Sequence, residues 1–219
     1  MPSPAAIPDS WQQVSSRLWD AFLDGTLPKD LLLCSAAGTG KTYGVLLFLH
    51  VLARDNPGLR ILICRETRAA LTESVLVTYE QEILPIDGMD HLAAGVKRRV
   101  RQAYQYPSGS EVVVGSLENP DRVLSTAWDI AFINEATGAT EEAWEALGSR
   151  MNRPGRESSL GYLIGDTNPG HPSHWLKARV DRGLTACWQI PHEANPAMFD
   201  GQAWTAAGLN YLATLDRLT

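Results

Sequence analysis

The stretch from Leu31 to Thr42 constrains the fold of this chain more than any other feature of the sequence. It opens with an apolar run that predicts a buried strand, and after a loop of small residues it ends in Gly-Lys-Thr. Residues 35–42 fill the places of the pattern G-x-x-x-x-G-K-[ST], with Ser35 instead of the first glycine. The alternative is a strand, a turn and a helix whose glycines fall together by chance. We favour a strand followed by a phosphate-binding loop and a helix.

The residue types of this loop suit the binding of a nucleoside triphosphate. Glycines at positions 38 and 40 let backbone N–H groups turn towards phosphate oxygens, and the helix beginning near Lys41 points its positive end at the same anion. Lys41 is expected to reach the β- and γ-phosphates, and the Thr42 hydroxyl is expected to bind Mg²⁺. The predicted nucleotide contacts are Ser35, Ala36, Ala37, Gly38, Thr39, Gly40, Lys41 and Thr42.

Composition places this loop in an ordinary globular protein. Of the 219 residues, 44% are hydrophobic and 20% are charged, enough for one large domain or one domain with a small appendage. The formal net charge of −6 argues against a protein that coats nucleic acid on its own, although it leaves room for a local basic patch. Three cysteines without a C-x-x-C pair suggest a reducing compartment. We expect neither a signal peptide nor a transmembrane segment, since no apolar run approaches roughly 18 residues.

Strand-like and helix-like apolar patterns alternate along the chain. Strands are predicted at 31–34, 60–65, 111–115, 129–136 and 160–166. The strand–helix–strand spacing after the phosphate loop implies a right-handed parallel crossover. We therefore predict a three-layer α/β fold with a mainly parallel central sheet and the nucleotide at the carboxyl ends of its strands. Residues 1–170 would form this core, and residues 171–219 a small helical lid or linker.

The predicted strand at 129–136 ends in the polar pair Asn134-Glu135. In phosphate-loop enzymes a strand near the loop delivers one carboxylate to Mg²⁺ and often a second to the attacking water. Glu135 is the acid at this strand end, so we assign it to the water and name it as a catalytic and metal-site residue. Asn134 occupies the place of the Mg²⁺-side aspartate; its amide oxygen can accept from a Mg²⁺-bound water but supplies no charge. The alternative is a strand capped by a turn.

Three further groups are candidates for a functional role. Thr167 and Asn168 follow the strand at 160–166, where a short polar side chain can hydrogen-bond the γ-phosphate and lose that bond after hydrolysis. Gln12 or Gln13 could read the adenine edge, although a solvated helix position is the alternative for each. The cations Lys97, Arg98, Arg99 and Arg101 could contact a nucleic-acid backbone, and their alternative is a solvated strand edge.

Three segments together carry a family resemblance. They are Gly-Thr-Gly-Lys-Thr at 38–42, Ile-Asn-Glu-Ala-Thr at 133–137, and Gly-Asp-Thr-Asn-Pro-Gly-His-Pro-Ser-His-Trp-Leu at 165–176. The set resembles the ATPase motor of phage terminase large subunits, and the third segment, an Asn-Pro turn followed by His-Trp-Leu, resembles the coupling motif of that family. The tail from Asn195 to Thr219 resembles the run that joins motor to nuclease, so a nuclease activity is not expected from these residues.

The resemblance implies roles for particular residues. Lys41 and Thr42 would be nucleotide and Mg²⁺ ligands, and Glu135 the catalytic carboxylate. Thr167 and Asn168 would be the pair that couples hydrolysis to DNA movement. The first candidate for an arginine finger, which acts on the site of a neighbouring subunit, is Arg122, and the next are Arg150 and Arg153.

The resemblance also implies an activity and a setting. The chain would be a P-loop NTPase of the RecA/ASCE kind that hydrolyses ATP with Mg²⁺ and moves double-stranded DNA into a procapsid. It would work as a homo-oligomeric ring on the procapsid portal, with the small terminase subunit, in the cytoplasm of an infected bacterial host. Two alternatives stay open: a superfamily-1-like helicase motor, and an assembly protein that binds ATP without hydrolysing it.

Overall fold

A central sheet organises the protein, which we describe from a computed structural model over residues 13–118, 123–151 and 160–217. Its strands are β1 (Asp30–Cys34), β2 (Arg60–Arg65), β3 (Ala103–Gln105), β4 (Glu111–Ser116), β5 (Ile130–Ile133), β6 (Tyr162–Thr167) and β7 (Ala186–Gln189). The helices are α1 (Gln13–Leu23), α2 (Lys41–Asp55), α3 (Arg68–Glu73), α4 (Val75–Thr78), α5 (Glu141–Gly148), α6 (Trp175–Asp181) and α7 (Ala206–Leu215). A π-helical turn, Tyr79–Ile83, follows α4, and short 3₁₀ segments include Arg98–Val100 and His192–Ala194.

The strand order in the sheet is β3-β4-β2-β5-β6-β1-β7. Every neighbouring pair is parallel except β3 and β4, which form an antiparallel hairpin at one edge. The predicted mainly parallel sheet is therefore confirmed. Because β1, β6 and β5 lie side by side and run in the same direction, the residues that follow them meet at one edge of the sheet.

Helices cover both faces of the sheet, which confirms the predicted three-layer α/β fold. On one face, the apolar residues of α2 are buried on nearly all sides between the sheet and α1. Gly44 permits this contact, since a Cβ atom there would lie 2.6 Å from the Cβ atom of Val14. On the other face, Trp144 of α5 and Leu176 of α6 pack against the sheet.

The predicted division at residue 170 needs a correction. Residues 171–219 were expected to form a helical lid or linker, but β7 lies in this segment and pairs in parallel with β1. Arg179 of α6 contacts Asp30 at 3.5 Å and Glu145 at 2.7 Å, so α6 is also bound to the core. The sheet therefore continues beyond residue 170. Within the described ranges, none of the helices has the length and apolar composition of a membrane span.

Candidate nucleotide site

The loop between β1 and α2 has the backbone geometry that its glycines predict. Gly38 has a φ of 79° and Gly40 a φ of 82°, both in the left-handed region that favours glycine. Gly40 immediately precedes the first residue of α2. The loop therefore turns back on itself and presents the amino terminus of a buried 15-residue helix to the space above the sheet.

Ser35, which replaces the first glycine of the pattern, is buried inside this loop. Its hydroxyl lies 2.9 Å from the Thr39 hydroxyl. Its backbone N–H donates to the Thr167 carbonyl on β6 at 3.2 Å. The serine hydroxyl thus links the two ends of the loop, and the serine backbone links the loop to the adjacent strand.

Lys41 projects into the interior of the loop. Its ammonium group donates to the carbonyls of Ser35 at 2.7 Å and Ala36 at 2.8 Å, and to the side-chain oxygen of Asn168 at 3.2 Å. Burial lowers the pKa of this ammonium, while the nearby Asp166 carboxylate opposes the shift. The cation is therefore positioned among oxygen acceptors where phosphate oxygens would be stronger partners.

Asp166 lines the same cavity, although the sequence analysis did not select it as a site residue. This carboxylate at the end of β6 is 2% exposed. It accepts from the Thr42 hydroxyl at 2.5 Å, from the Asn134 amide at 3.0 Å and from the Glu135 backbone N–H at 2.7 Å. Burial raises the pKa of the Asp166 carboxyl, and the hydrogen bonds from Thr42 and the Glu135 backbone oppose that rise. An aspartate ending a strand predicted to be buried was the available signal, because buried carboxylates need partners.

Glu135 lies just after β5 in a strained backbone conformation. Its φ is 49°, and among the described residues no other non-glycine residue has a positive φ. Such outliers concentrate at functional sites. The Arg65 guanidinium at the end of β2 donates to its carboxylate. Arg65 also donates to the Ser74 hydroxyl between α3 and α4 at 2.9 Å, which ties the glutamate to that helical junction.

The predicted site residues from three distant segments line one open cavity of about 620 Å³. They include Ala37, Gly38, Thr39, Gly40, Lys41, Thr42, Glu135, Thr167 and Asn168. Ser35 and Ala36 form the base of the loop behind Lys41. Asn134 is buried below the cavity and donates its amide towards the Thr42 hydroxyl at 3.3 Å. The carboxyl edge of the sheet therefore holds the expected cluster.

Hard oxygen donors beside the phosphate loop fit Mg²⁺. The Thr42 hydroxyl and the Asp166 carboxylate lie side by side, and this cation prefers such ligands. No group of three His, Cys, Asp or Glu residues forms a complete metal cage in the described part of the chain. The two oxygens fit a Mg²⁺ ion whose other ligands would be phosphate oxygens and waters.

The C-terminal segment covers the outer side of the phosphate loop. The Tyr211 hydroxyl of α7 donates to the Ala37 carbonyl at 2.7 Å, and the Asn195 amide donates to the Gly38 carbonyl at 2.7 Å. The His192 ring also lies 3.1 Å from the Ala37 carbonyl. These contacts, which the sequence did not predict, place residues after β7 on the loop and along the wall of the cavity.

Several predicted site residues lie elsewhere. Gln13 is exposed and lines a separate groove with Arg17 and Trp188, so the structure does not bring it to the cavity. Arg150 is exposed, and its carbonyl accepts from the backbone N–H of Trp128 before β5, at the opposite edge of the sheet. Gln12, Arg122 and Arg153 lie outside the described residues.

The basic segment at 97–101 needs a correction. Arg101 is 4% exposed, and it pairs with Glu80 at 2.8 Å and donates to backbone carbonyls of residues 92, 93 and 96. Its predicted contact with nucleic acid is wrong, because the guanidinium is buried and donates to partners inside the protein. Arg98 pairs with the same Glu80 at 2.8 Å. Lys97 and Arg99 remain exposed.

The histidines at 171 and 174 have the expected structural roles. His174 precedes α6, and its ring accepts from the Leu176 backbone N–H at 3.2 Å. His171 lies in the preceding loop, 2.7 Å from the Ser173 hydroxyl. His171 is thus a loop residue and His174 a helix-start residue, in agreement with the prediction.

Known proteins resemble the chain in fold rather than in sequence. No model of a protein family matches it, and no curated protein does. The large terminase of a thermophilic bacteriophage, in complex with ADP, has a TM-score of 0.66 at 14% identity, covering 92% of this chain and 49% of the terminase. The large terminase of bacteriophage HK97 has a TM-score of 0.61 at 12% identity, covering 100% and 49%. The UvsW helicase of bacteriophage T4 has a TM-score of 0.50 at 15% identity, covering 85% and 62%.

These similarities concern the fold. The chain spans about half the length of the two large terminases, and its sequence identity to them is low. The fold resemblance extends over nearly all of this chain, including the segment after residue 170. The resemblance to phage large terminases stated from the sequence is therefore confirmed at the level of the fold.

Proposed function

We propose that this chain is the ATPase motor domain of a viral terminase large subunit, which hydrolyses ATP with Mg²⁺ to move double-stranded DNA into a procapsid. The observation that carries the proposal is the convergence of Lys41, Thr42, Glu135, Thr167 and Asn168 around one cavity. These residues come from three segments that the sequence analysis selected for their chemistry. Their meeting at the carboxyl edge of a parallel sheet supports one nucleotide-hydrolysing site.

Binding would use the loop and the first turn of α2. The triphosphate would lie against residues 35–42, where Gly38 and Gly40 shape the backbone and the helix amino terminus favours an anion. Lys41 would leave the carbonyls of Ser35 and Ala36 and donate to the β- and γ-phosphates. The large terminase of the thermophilic bacteriophage, whose fold the chain shares, has been solved with ADP and with ATP-γ-S, which is consistent with this assignment.

The cation side of the site would be formed by Thr42 with the polar side chains at the ends of β5 and β6. Mg²⁺, when bound, would offset negative charge on the β- and γ-phosphates. The Thr42 hydroxyl would be one of its ligands, and Asn134 and Glu135 would contact waters bound to the cation.

Hydrolysis would depend on Glu135. Glu135 borders both the cavity and the groove lined by Arg65. Its carboxylate would therefore bond either the Arg65 guanidinium or a water next to the γ-phosphate, depending on its rotamer. As a general base it would orient and deprotonate that water, the role of the catalytic carboxylate in this reaction class.

Coupling to movement would begin at Thr167 and Asn168. Asn168 already bonds the Lys41 ammonium at 3.2 Å, and the Thr167 carbonyl bonds the backbone of Ser35. Loss of the γ-phosphate would free the Lys41 ammonium and so change its contact with Asn168, next to the backbone bond that ties Thr167 to the loop. The loop that carries Asn168 continues into α6, which gives the signal a route away from the site.

The wider assembly belongs to the same proposal. The motor would act as a homo-oligomeric ring on a procapsid portal, together with the small terminase subunit, in the cytoplasm of an infected bacterial host. Arg122 would reach the site of a neighbouring subunit, with Arg150 and Arg153 as the next candidates. The exposed Lys97 and Arg99 would contact the DNA backbone.

A helicase-type motor is the second candidate, favoured by the fold similarity to the UvsW helicase. The terminase fold agrees better, with TM-scores of 0.66 and 0.61 against 0.50. The two differ in their product: a helicase separates strands, whereas a packaging motor moves along an intact duplex. An ATP-binding assembly protein would do neither.

Phosphate release from ATP, measured with and without blunt double-stranded DNA, tests the proposal. We expect Mg²⁺-dependent release that duplex DNA stimulates, without separation of a labelled strand. Glu135→Ala should lower turnover about 10²- to 10⁴-fold while ATP still binds. The matched control is Glu73→Ala, an exposed glutamate on α3. Strand separation would favour the helicase, and binding of ATP without any turnover would favour the assembly protein.

A further inference from the structure

We propose that Asp166 supplies the Mg²⁺-side carboxylate of this site, from the end of β6, in place of the residue that Asn134 occupies at the end of β5. The inference rests on the proposed function, because it concerns the cation that accompanies ATP. The sequence motifs place the Mg²⁺-side residue at Asn134, one strand away from Asp166. The charge of the site would then come from the neighbouring strand.

The chemistry of the site calls for an acid. Phosphate-loop ATPases hold Mg²⁺ with the loop Ser or Thr and with an aspartate from a neighbouring strand. Here the residue that follows β5 is Asn134, which is neutral. A neutral amide cannot offset the charge of a divalent cation, so either the site is weakened or another carboxylate takes the position.

The contacts of Thr42 identify that carboxylate. Its hydroxyl donates to Asp166 at 2.5 Å, whereas the group that Asn134 turns towards it is the donating amide nitrogen, at 3.3 Å. The acidic residues that line the described cavity are Glu82, Glu135 and Asp166, and Thr42 bonds only the last of them. The acceptor beside the predicted metal ligand is thus Asp166.

The position of the strands explains why β6 can replace β5. Strand β6 lies directly beside β1, and Asp166 is in register with Leu33, just before the phosphate loop. Strand β5 lies one strand further away, on the other side of β6. Asn134 reaches the same point only by donating to Asp166, at 3.0 and 3.2 Å to the two carboxylate oxygens.

The surroundings of Asp166 leave a charge to be balanced. The carboxylate is 2% exposed and accepts from a hydroxyl, an amide and a backbone N–H. Within the described ranges no Lys, Arg or His is paired with it within 4.0 Å, and the Lys41 ammonium, which attracts it from further away, offsets its charge only in part. A buried carboxylate without a close cation is costly, and a cation held between Thr42 and the phosphates would be such a partner. The Asn134 amide would then orient the carboxylate rather than bind the metal.

The test compares the affinity of the whole 219-residue chain for a fluorescent ATP analogue in EDTA and in saturating Mg²⁺. We expect Mg²⁺ to strengthen binding to the wild type. In Asp166→Asn the ratio of the two dissociation constants should fall about 10- to 100-fold, the range seen when partners of a bound metal are removed. In EDTA this variant should bind as well as the wild type or better, because a negative charge near the phosphates is gone.

Two further variants separate a metal role from a structural one. The exchange Asn134→Asp with Asp166→Asn returns the acid to β5 and reverses the donor and acceptor, so it should recover most of the Mg²⁺ effect. Asp129→Asn removes another buried carboxylate, at the opposite edge of the sheet beside Arg60, and should leave the Mg²⁺ ratio unchanged. A structural defect in Asp166→Asn would instead weaken binding equally in EDTA and in Mg²⁺.

The outcomes distinguish this inference from the proposed function. A wild-type Mg²⁺ ratio in Asp166→Asn, or an exchange variant no better than Asp166→Asn alone, overturns the role of Asp166 and leaves the ATPase intact. A wild type that binds no nucleotide in either condition overturns both. Loss of the Mg²⁺ effect in Asp166→Asn with recovery in the exchange variant establishes the carboxylate on β6.

Discussion

The carboxyl edge of the sheet and the basic segment at 97–101 use polar residues in opposite ways. At the sheet edge, Lys41, Glu135 and Asn168 come from distant parts of the sequence and line one cavity. In the basic segment, neighbours in sequence diverge: Arg101 is buried against Glu80, while Lys97 and Arg99 face outwards. One region gathers polar groups around a shared space, and the other distributes them between structure and solvent.

The difference shows which sequence signals carry functional information. Polar residues at strand ends converge because the parallel topology brings those ends together. A run of cations has no such constraint, and in the 3₁₀ turn Arg98–Val100 consecutive side chains point in different directions. Arg98 and Arg101 both turn to Glu80, which is also hydrogen-bonded by Tyr104 at 2.9 Å. Local charge therefore says less about function than polar residues placed by the fold.

Replacing one lysine in each region should give the largest contrast. Lys41→Ala removes the buried cation of the loop and should lower ATP turnover about 10²- to 10³-fold, since charge stabilisation on the transferring phosphoryl group is lost. Lys97→Ala, at an exposed position, should leave turnover without DNA unchanged. Steady-state phosphate release measures both. An equal loss of turnover in the two variants would contradict the difference between the two regions.

Replacing arginines in the basic segment should separate structure from surface. Arg101→Ala leaves the largely buried Glu80 without its closest buried cation and should lower the free energy of unfolding by about 3 kcal/mol. Arg99→Ala should change it by less than about 0.5 kcal/mol, as surface substitutions do. Urea denaturation followed by circular dichroism gives both values. Similar stabilities for the two variants would mean that the Arg101 pair contributes nothing to the fold.

The smallest expected effect concerns DNA. Replacing Lys97 and Arg99 together by Ala should weaken duplex binding and reduce the slope of log affinity against log salt by about 1.8, or about 0.9 per phosphate contact. The matched variant Arg54→Ala removes a cation that is paired with Asp55 and Asp87, so its slope should equal that of the wild type. Fluorescence anisotropy at several salt concentrations measures the slopes. An unchanged slope in the double variant would exclude these two residues as DNA contacts.

Much of the fold and part of the site follow from local sequence patterns. The phosphate loop was predictable because Gly38 and Gly40 are required by backbone geometry, and β5 was predictable because its four residues are all buried and apolar. The strand β7 was not, since its residues are only partly buried and carry no uniform apolar pattern. The fold is thus clearest in the sequence where burial is complete.

The rest of the site depends on contacts between distant residues. An aspartate at the end of a buried strand signals that Asp166 needs a partner, but only the order of β5, β6 and β1 shows that this partner is Thr42. Arg65 meets Glu135 for the same reason, because β2 lies beside β5. Tyr211 reaches the Ala37 carbonyl across 174 positions of sequence. No spacing rule within one segment contains this information.

In the proposed site, residues 35–42 bind a triphosphate between Lys41 and the ends of β5 and β6. A crystal structure with Mg²⁺ and a non-hydrolysable ATP analogue would show whether they do. We expect the β- and γ-phosphates inside the loop, with the Lys41 ammonium moved from the carbonyls of Ser35 and Ala36 to phosphate oxygens. Phosphates bound outside this cavity, or a Lys41 that stays on those carbonyls with the analogue bound, would contradict it.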